Sequence, residues 1–212
     1  MNKALVIGGS NGIGLALAKN LINLGYFVEI MDRHGPEEGV LAEGTYSHHY
    51  CNLLDLDEDL ISSVSTDSEI SLLMITAGVG RVADFEYFHT AEIKNMMTVD
   101  ATATIQILRL FYDRIKGSEP FYCGVMGSIS GLLTSPSAAV YAATKAAVCR
   151  LIESVNIELE VAGTENRILN VSPASFKGSR FYGGQNQLEL LEGLAGEILE
   201  HIFNRDCLFI PQ

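Results

Sequence analysis

Short continuous runs of apolar residues alternate along this chain with longer stretches in which apolar side chains recur every three or four positions. The first pattern suits strands buried on both faces and the second suits helices that cover them. Their alternation predicts an α/β fold, a doubly wound parallel sheet with helices on both faces. Residues 4–7 form the first expected strand, and Ile13, Leu17, Leu21 and Leu24 follow at near-helical spacing until Gly25 ends the helix. Further strands are expected at 27–31, 46–51, 70–76, 121–126 and 168–171, with a short edge strand at 207–210. Helices are expected at 57–64, 140–161 and 188–202, and 91–116 is a helical region, broken or continuous. Residues 174–187 hold three Gly, two Ser and the pair Phe181-Tyr182, which suits a loop long enough to act as a lid.

A length of 212 residues fits one domain over 1–212, with its substrate lid near 174–187. A composition 48% hydrophobic and 19% charged, with 20 Gly and 5 Pro, excludes collagen-like and disordered chains. Lys and Arg number 14 against 26 Asp and Glu, and the net charge of −12 repels phosphate backbones and anionic lipid. Nucleic acid and membrane are therefore not expected partners. The longest apolar run, 72–79, falls far short of the roughly 20 residues of a membrane span. Lys3 and the Ala-Leu-Ala at 16–18 imitate a signal peptide, but Gly8, Gly9, Gly12 and Gly14 interrupt its would-be core. Cys51, Cys123, Cys149 and Cys207 show no CxxC pair, which fits reduced thiols in a cytoplasm. Between Arg33 and Arg81 stand nine acids and no Lys or Arg, a solvated face rather than a docking site. No metal site is expected: His48 and His49 point to opposite faces of a strand, and no further ligand is spaced nearby.

Gly8-Gly9-Ser10-Asn11-Gly12-Ile13-Gly14 follows a strand and opens a helix, so backbone N–H groups and the positive helix end converge on one anion site suited to a pyrophosphate. Asp32, eighteen residues beyond Gly14 at the end of the second strand, can accept both hydroxyl protons of an adenine ribose and repels a 2′-phosphate. This favours NAD over NADP as the cofactor. Arg33 pulls the other way, because a guanidinium there can receive that phosphate.

Tyr141 and Lys145, four apart on a helix, share one face, and Ser128 follows the fifth strand at the carboxyl end where such sheets bind substrates. Hydride reduction of a carbonyl leaves an alkoxide that needs a proton, and a phenol delivers one well only beside a cation that stabilises its phenolate. Lys145 can be that cation, with Ser128 holding the carbonyl oxygen. Lys177 and Arg180 in the lid could meet an anionic substrate, though a plain solvated lid accounts for them as well.

The ordered set of Gly8, Gly12 and Gly14, Ala77-Gly78, Ser128 thirteen residues before Tyr141, and Tyr141-x-x-x-Lys145 resembles the short-chain dehydrogenase/reductase family over about 3–173. The resemblance implies a Rossmann-type sheet, a nicotinamide cofactor and a small-molecule alcohol or ketone substrate. It implies Tyr141 as acid/base, Lys145 on the nicotinamide ribose and Ser128 orienting substrate. It also implies cofactor contacts from Ser10, Asn11, Ile13, Pro173, Ala77, Gly78 and, around the adenine, Asn52 and Leu53, and a homodimer or homotetramer paired through the long helices. This sequence departs from the family at Ile7, at Ile75-Thr76, and at Ala174 and Gly178 beyond Pro173. Asp100 stands where the family has the Asn that works beside the lysine. It either faces Lys145 and joins the catalytic set, or faces away and only packs its helix. The departures motivate a second reading, a cofactor-binding sensor or scaffold with little or no turnover.

Overall fold

The computed structural model describes residues 2–175, 177, 178, 181 and 187–211. Strands are β1 (Lys3–Ile7), β2 (Phe27–Asp32), β3 (Tyr46–Tyr50), β4 (Ile70–Ile75), β5 (Tyr122–Met126), β6 (Ile168–Val171) and β7 (Leu208–Phe209). Among the described residues they form one sheet in the order β3-β2-β1-β4-β5-β6-β7, and every pair is parallel. The expected short strand near the C-terminus is β7, and it lies at an edge as its weak pattern indicated.

Helices α1 (Gly12–Asn23) and α6 (Glu192–Phe203) cover one face, while α2 (Glu58–Ser65), α4 (Ala103–Lys116) and α5 (Ala139–Val161) cover the other. Ala4, Val6, Ile30 and Met74 pack toward Leu17, Leu21 and Ile198, and Leu5, Ile7, Leu73 and Ile75 pack toward Ile61, Ile107, Phe111 and Ile152. This is why the central strands are apolar at every position instead of at alternate ones. Each large side chain so buried contributes about 1.5–3 kcal/mol.

The helical region near residue 100 is continuous. Helix α3 (Thr90–Met96) runs through a π-helical stretch, Met97–Thr102, into α4. At α1 the chain stops where Gly25 takes φ +87°, and the amides of Gly25 and Tyr26 close on the carbonyls of Ile22 and Leu21. Asp57, expected inside α2, caps it instead, its side chain accepting from Leu60 N at 2.9 Å. The helix expected from Leu188 begins as a 3₁₀ turn, Leu188–Leu190, before α6. In the expected lid, Arg180 and Tyr182 lie outside the described residues.

Candidate active site

The turn after β1 is built on close backbone approach. Gly8 has φ +83°, and a Cβ there would lie 2.5 Å from the backbone nitrogen of Ala77, just past β4. A Cβ on Gly14 would lie 2.2 Å from the Gly8 carbonyl oxygen. Glycine at both places lets β1, β4 and the start of α1 converge. The first bond of α1 runs from Leu15 N to Asn11 O at 3.2 Å, so the amides before Leu15 belong to the positive end of a 12-residue helix.

Here a cleft of about 580 Å³ opens along the carboxyl ends of the strands. It is lined by Gly8, Asn11, Gly12, Ile13 and Gly14 of the turn, by Asp32, Asn52 and Leu53 on one side, and by Ala77, Gly78, Ser128, Tyr141, Lys145 and Pro173 on the other. Ser10 is placed differently. It is buried behind the turn, where its amide (3.3 Å) and its hydroxyl both donate to Asp32 Oδ2. Asp32 Oδ1 accepts from Arg33 N at 2.7 Å. Cys51 also lines the cleft, and burial, with the charges of Asp32 and Asp57, pushes its thiol up to about 11, so it stays protonated.

At the other end Lys145 is 3% exposed and donates from Nζ to Met126 O at 2.9 Å, with the Tyr141 ring centroid 5.7 Å away. Ser128, in extended backbone, opens a 3₁₀ turn over Ile129–Gly131, its hydroxyl accepting from Ser130 N at 3.1 Å. Asp100 does not line the cleft. It sits 1% exposed beneath Gly78, with Oδ1 accepting from Val79 N at 2.7 Å and Oδ2 from Thr144 Oγ1 at 3.3 Å. A Cβ on Gly78 would lie 3.4 Å from Asp100 Oδ1 and 3.5 Å from Lys145 Nζ. Asp100 therefore faces Lys145, and the alternative in which it turns away does not hold. Burial drives the Asp100 carboxyl above its usual range, opposed by the Lys145 charge, and drives the Lys145 ammonium below its own, opposed by Asp100.

The histidine pair is used structurally, His49 bonding Glu29 at 2.8 Å and His48 meeting the Asp32 carbonyl oxygen at 3.1 Å. Lys177 is exposed. Sequence reasoning passed over Val79, Gly80, Asn95, Val99, Met126, Ile129, Ser130 and Phe181 as lining residues. The Phe181 ring lies 5.6 Å from that of Tyr141, and its Cε1 is 2.4 Å from where a Cβ on Gly80 would stand. The signal that pointed there was a small one, the second glycine in Gly78-Val79-Gly80.

Sheet order, glycine turn and cleft define a dinucleotide-binding α/β protein. A family model for short chain dehydrogenases matches residues 2–186, and the chain belongs to that family: it is an oxidoreductase of the short-chain dehydrogenase/reductase type, using a nicotinamide cofactor. It is 28% identical over 189 residues to a probable NADP-dependent dehydrogenase of Haemophilus influenzae, covering 84% of this chain and 73% of that one. It is 26% identical to estradiol 17-beta-dehydrogenase 2 of Mus musculus, covering 95% of this chain and 54% of the relative. A short-chain dehydrogenase from Sphingobium yanoikuyae, solved in complex with NADPH, superposes with a TM-score of 0.81 at 20% identity, over 100% of this chain and 88% of that one. No described helix is long and apolar enough to cross a membrane.

Proposed function

We propose that this chain interconverts a secondary alcohol and a ketone on a small molecule, with NAD preferred over NADP and Tyr141 as acid/base. The observation that carries the reading is that Ser128, Tyr141 and Lys145 line the same cleft as the glycine turn and Asp32. The fit to a dinucleotide rests on two features. A Cβ at Gly8 or Gly14 would collide with backbone, and the positive end of α1 favours an anion. The Asp32 carboxylate suits ribose hydroxyls at the adenine end. NADPH is what the Sphingobium protein carries, and NADP-dependence is in the name of the Haemophilus relative. Against both stands the charge of Asp32, set in this cleft.

The cofactor, when bound, supplies or accepts a hydride at the substrate carbon. This chain does the rest. Ser128 Oγ holds the carbonyl oxygen, and Tyr141 Oη gives that oxygen its proton in reduction and takes it back in oxidation. Lys145 favours the phenolate by its charge. Asn52 and Leu53 flank the adenine, and Ala77, Gly78 and Pro173 line the nicotinamide end. The subunits pair through α4 and α5 into a homodimer or homotetramer, in a cytoplasm that keeps the thiols reduced.

A cofactor-binding protein without turnover is the second reading, favoured by the Phe181 ring against Tyr141 and by the buried Asp100. A screen of alcohols and ketones followed by nicotinamide absorbance separates the two. Turnover that Tyr141→Phe abolishes is the result expected. Cofactor binding with no turnover on any compound would favour the sensor.

A further inference from the structure

The two ends of the cleft are walled by different chemistry. One end holds the Asp32 carboxylate, the Arg33 guanidinium and the start of α1. Val79 and Phe181 pack against the cluster that holds Tyr141, and Val99, Met126 and Ile129 also line the cleft. Beyond Ser128, Tyr141 and Lys145, the cleft wall also carries the neutral polar side chains of Asn95, Ser130 and Ser175. Among the described residues, the charged side chains on the whole cleft wall are Asp32, Arg33 and Lys145.

Lys145 has no charge to spare for a substrate. It is buried, committed to the Met126 carbonyl, and shares its surroundings with the Asp100 carboxylate across Gly78. Arg81, the next cation along the loop from Gly80, is held by Glu92 at 2.5 Å and lies over the Phe88 ring at 5.0 Å. The loops that carry the lining residues continue with apolar side chains interleaved among Arg81, Asp84 and Glu86. They are joined by Ala83 N to Ser137 O at 2.8 Å and Ser137 Oγ to Asp84 Oδ1 at 2.5 Å, and they leave Val82, Phe85, Tyr87 and Leu133 exposed.

A carboxylate brought next to Ser128 would thus be desolvated against apolar walls with the Asp100 carboxylate behind Gly78, a cost that no uncommitted cation among the described lining residues of this end offsets. An aryl or branched alkyl group would gain from the same walls. We propose that the substrate is an uncharged ketone or secondary alcohol bearing an apolar group, and that carboxylated analogues are rejected. The proposal rests on the oxidoreductase reading above and adds the substrate's chemical class to it. In the reductive direction, two electrons and a proton reach the carbonyl carbon as hydride from the reduced nicotinamide, which is oxidised. The carbonyl oxygen takes its proton from Tyr141 Oη, and the tyrosine is reprotonated from solvent.

The experiment uses matched pairs: phenyl alkyl and branched alkyl ketones, each beside its carboxylated analogue, assayed with the full chain and saturating NADH. Binding to the cofactor-loaded protein is read in parallel by its melting temperature. Neutral members should exceed their carboxylated partners in kcat/KM by at least about tenfold. They alone should raise the melting temperature above that of the cofactor complex. Phe181→Arg, which sets a cation in the wall, should narrow the ratio while the variant still binds NADH. Equal or preferred use of the carboxylated members would overturn the proposal. So would a cofactor complex that neither binds nor turns over any neutral member. Failure to bind NADH or NADPH at all, read by nicotinamide fluorescence, is a different result: it removes the oxidoreductase reading and this inference with it.

Discussion

Ser10 and Asp32 are locked to each other behind the glycine turn: one carboxylate oxygen accepts from both the amide and the hydroxyl of Ser10. The turn after β1 thereby fixes the acid at the end of β2 before any ligand arrives, and the other oxygen is held by Arg33 N at 2.7 Å. An acid fixed in this way keeps its charge in the path of a 2′-phosphate. NADH is expected to bind at least tenfold more tightly than NADPH, about 1.4 kcal/mol. Asp32→Ala should narrow the gap from both sides. Ser10→Ala, which leaves the charge but frees its position, should weaken NADH binding by about fivefold, the worth of one hydrogen bond. Superimposable titration curves for the two cofactors would remove Asp32 as the selector.

Two glycine replacements should have opposite signs. Gly14→Ala would put its methyl 2.2 Å from the Gly8 carbonyl and 2.5 Å from Thr76 Oγ1. The cost is about 1–3 kcal/mol of stability, with cofactor affinity lost as β1 and α1 are forced apart. Gly193 in α6 is exposed with nothing within 4 Å of its Cβ position, so Gly193→Ala should stabilise the fold by about 0.5–1 kcal/mol. Paired denaturation curves check both. A Gly14→Ala protein as stable as the parent would refute the packing argument.

On α5, Ala143 and Ala147 are exposed, and the same helical face continues through Ile157 at 63% and Val161 at 84% exposure. Packing within the subunit accounts for the buried residues of α5 but not for these. Sedimentation at micromolar concentration should give a dimer or tetramer, and Ala147→Glu should shift it toward monomer. A monomer in the unaltered protein would end the association hypothesis.

Strands β1, β4, β5 and β6 were legible in the sequence because they are buried on both faces, so apolar runs mark them. Where boundaries moved, a side chain from elsewhere took over the backbone. Phe121, expected in β5, lies outside it, and its amide goes to Asn166 Oδ1 at 3.0 Å. The glycine turn, Asp32, Ser128, Tyr141 and Lys145 were legible as a spaced set. Phe181 was not, since it falls in a loop without period and its place is set by Gly80 and Tyr141, which are distant in sequence. The π-helical stretch at Met97–Thr102 was equally hidden. Periodicity does not register one widened turn, and the bonds that hold Asp100 there come from Val79 and Thr144 on other segments.

Asp100 also yields the pH prediction that most sharply tests the mechanism. Its carboxylate stands beside Gly78 near the Lys145 ammonium and accepts from Val79 N and Thr144 Oγ1. When ionised, it supports that ammonium and opposes a second anion at Tyr141. Asp100→Asn keeps the shape and removes the charge. Without the neighbouring anion, the Tyr141 phenolate forms at lower pH, so the rising limb of the oxidative pH–rate profile moves to lower pH. Without its counter-charge, the buried Lys145, already driven down by burial, gives up its proton at lower pH as well, so the falling limb moves the same way. Both shifts have one sign, and the optimum for alcohol oxidation should move toward neutrality while NADH affinity changes little. The control is Tyr141→Phe, which should be silent at every pH. A profile that Asp100→Asn leaves in place, in a protein that Tyr141→Phe silences, would exclude Asp100 from the proton path and leave it only its bonds to Val79 and Thr144.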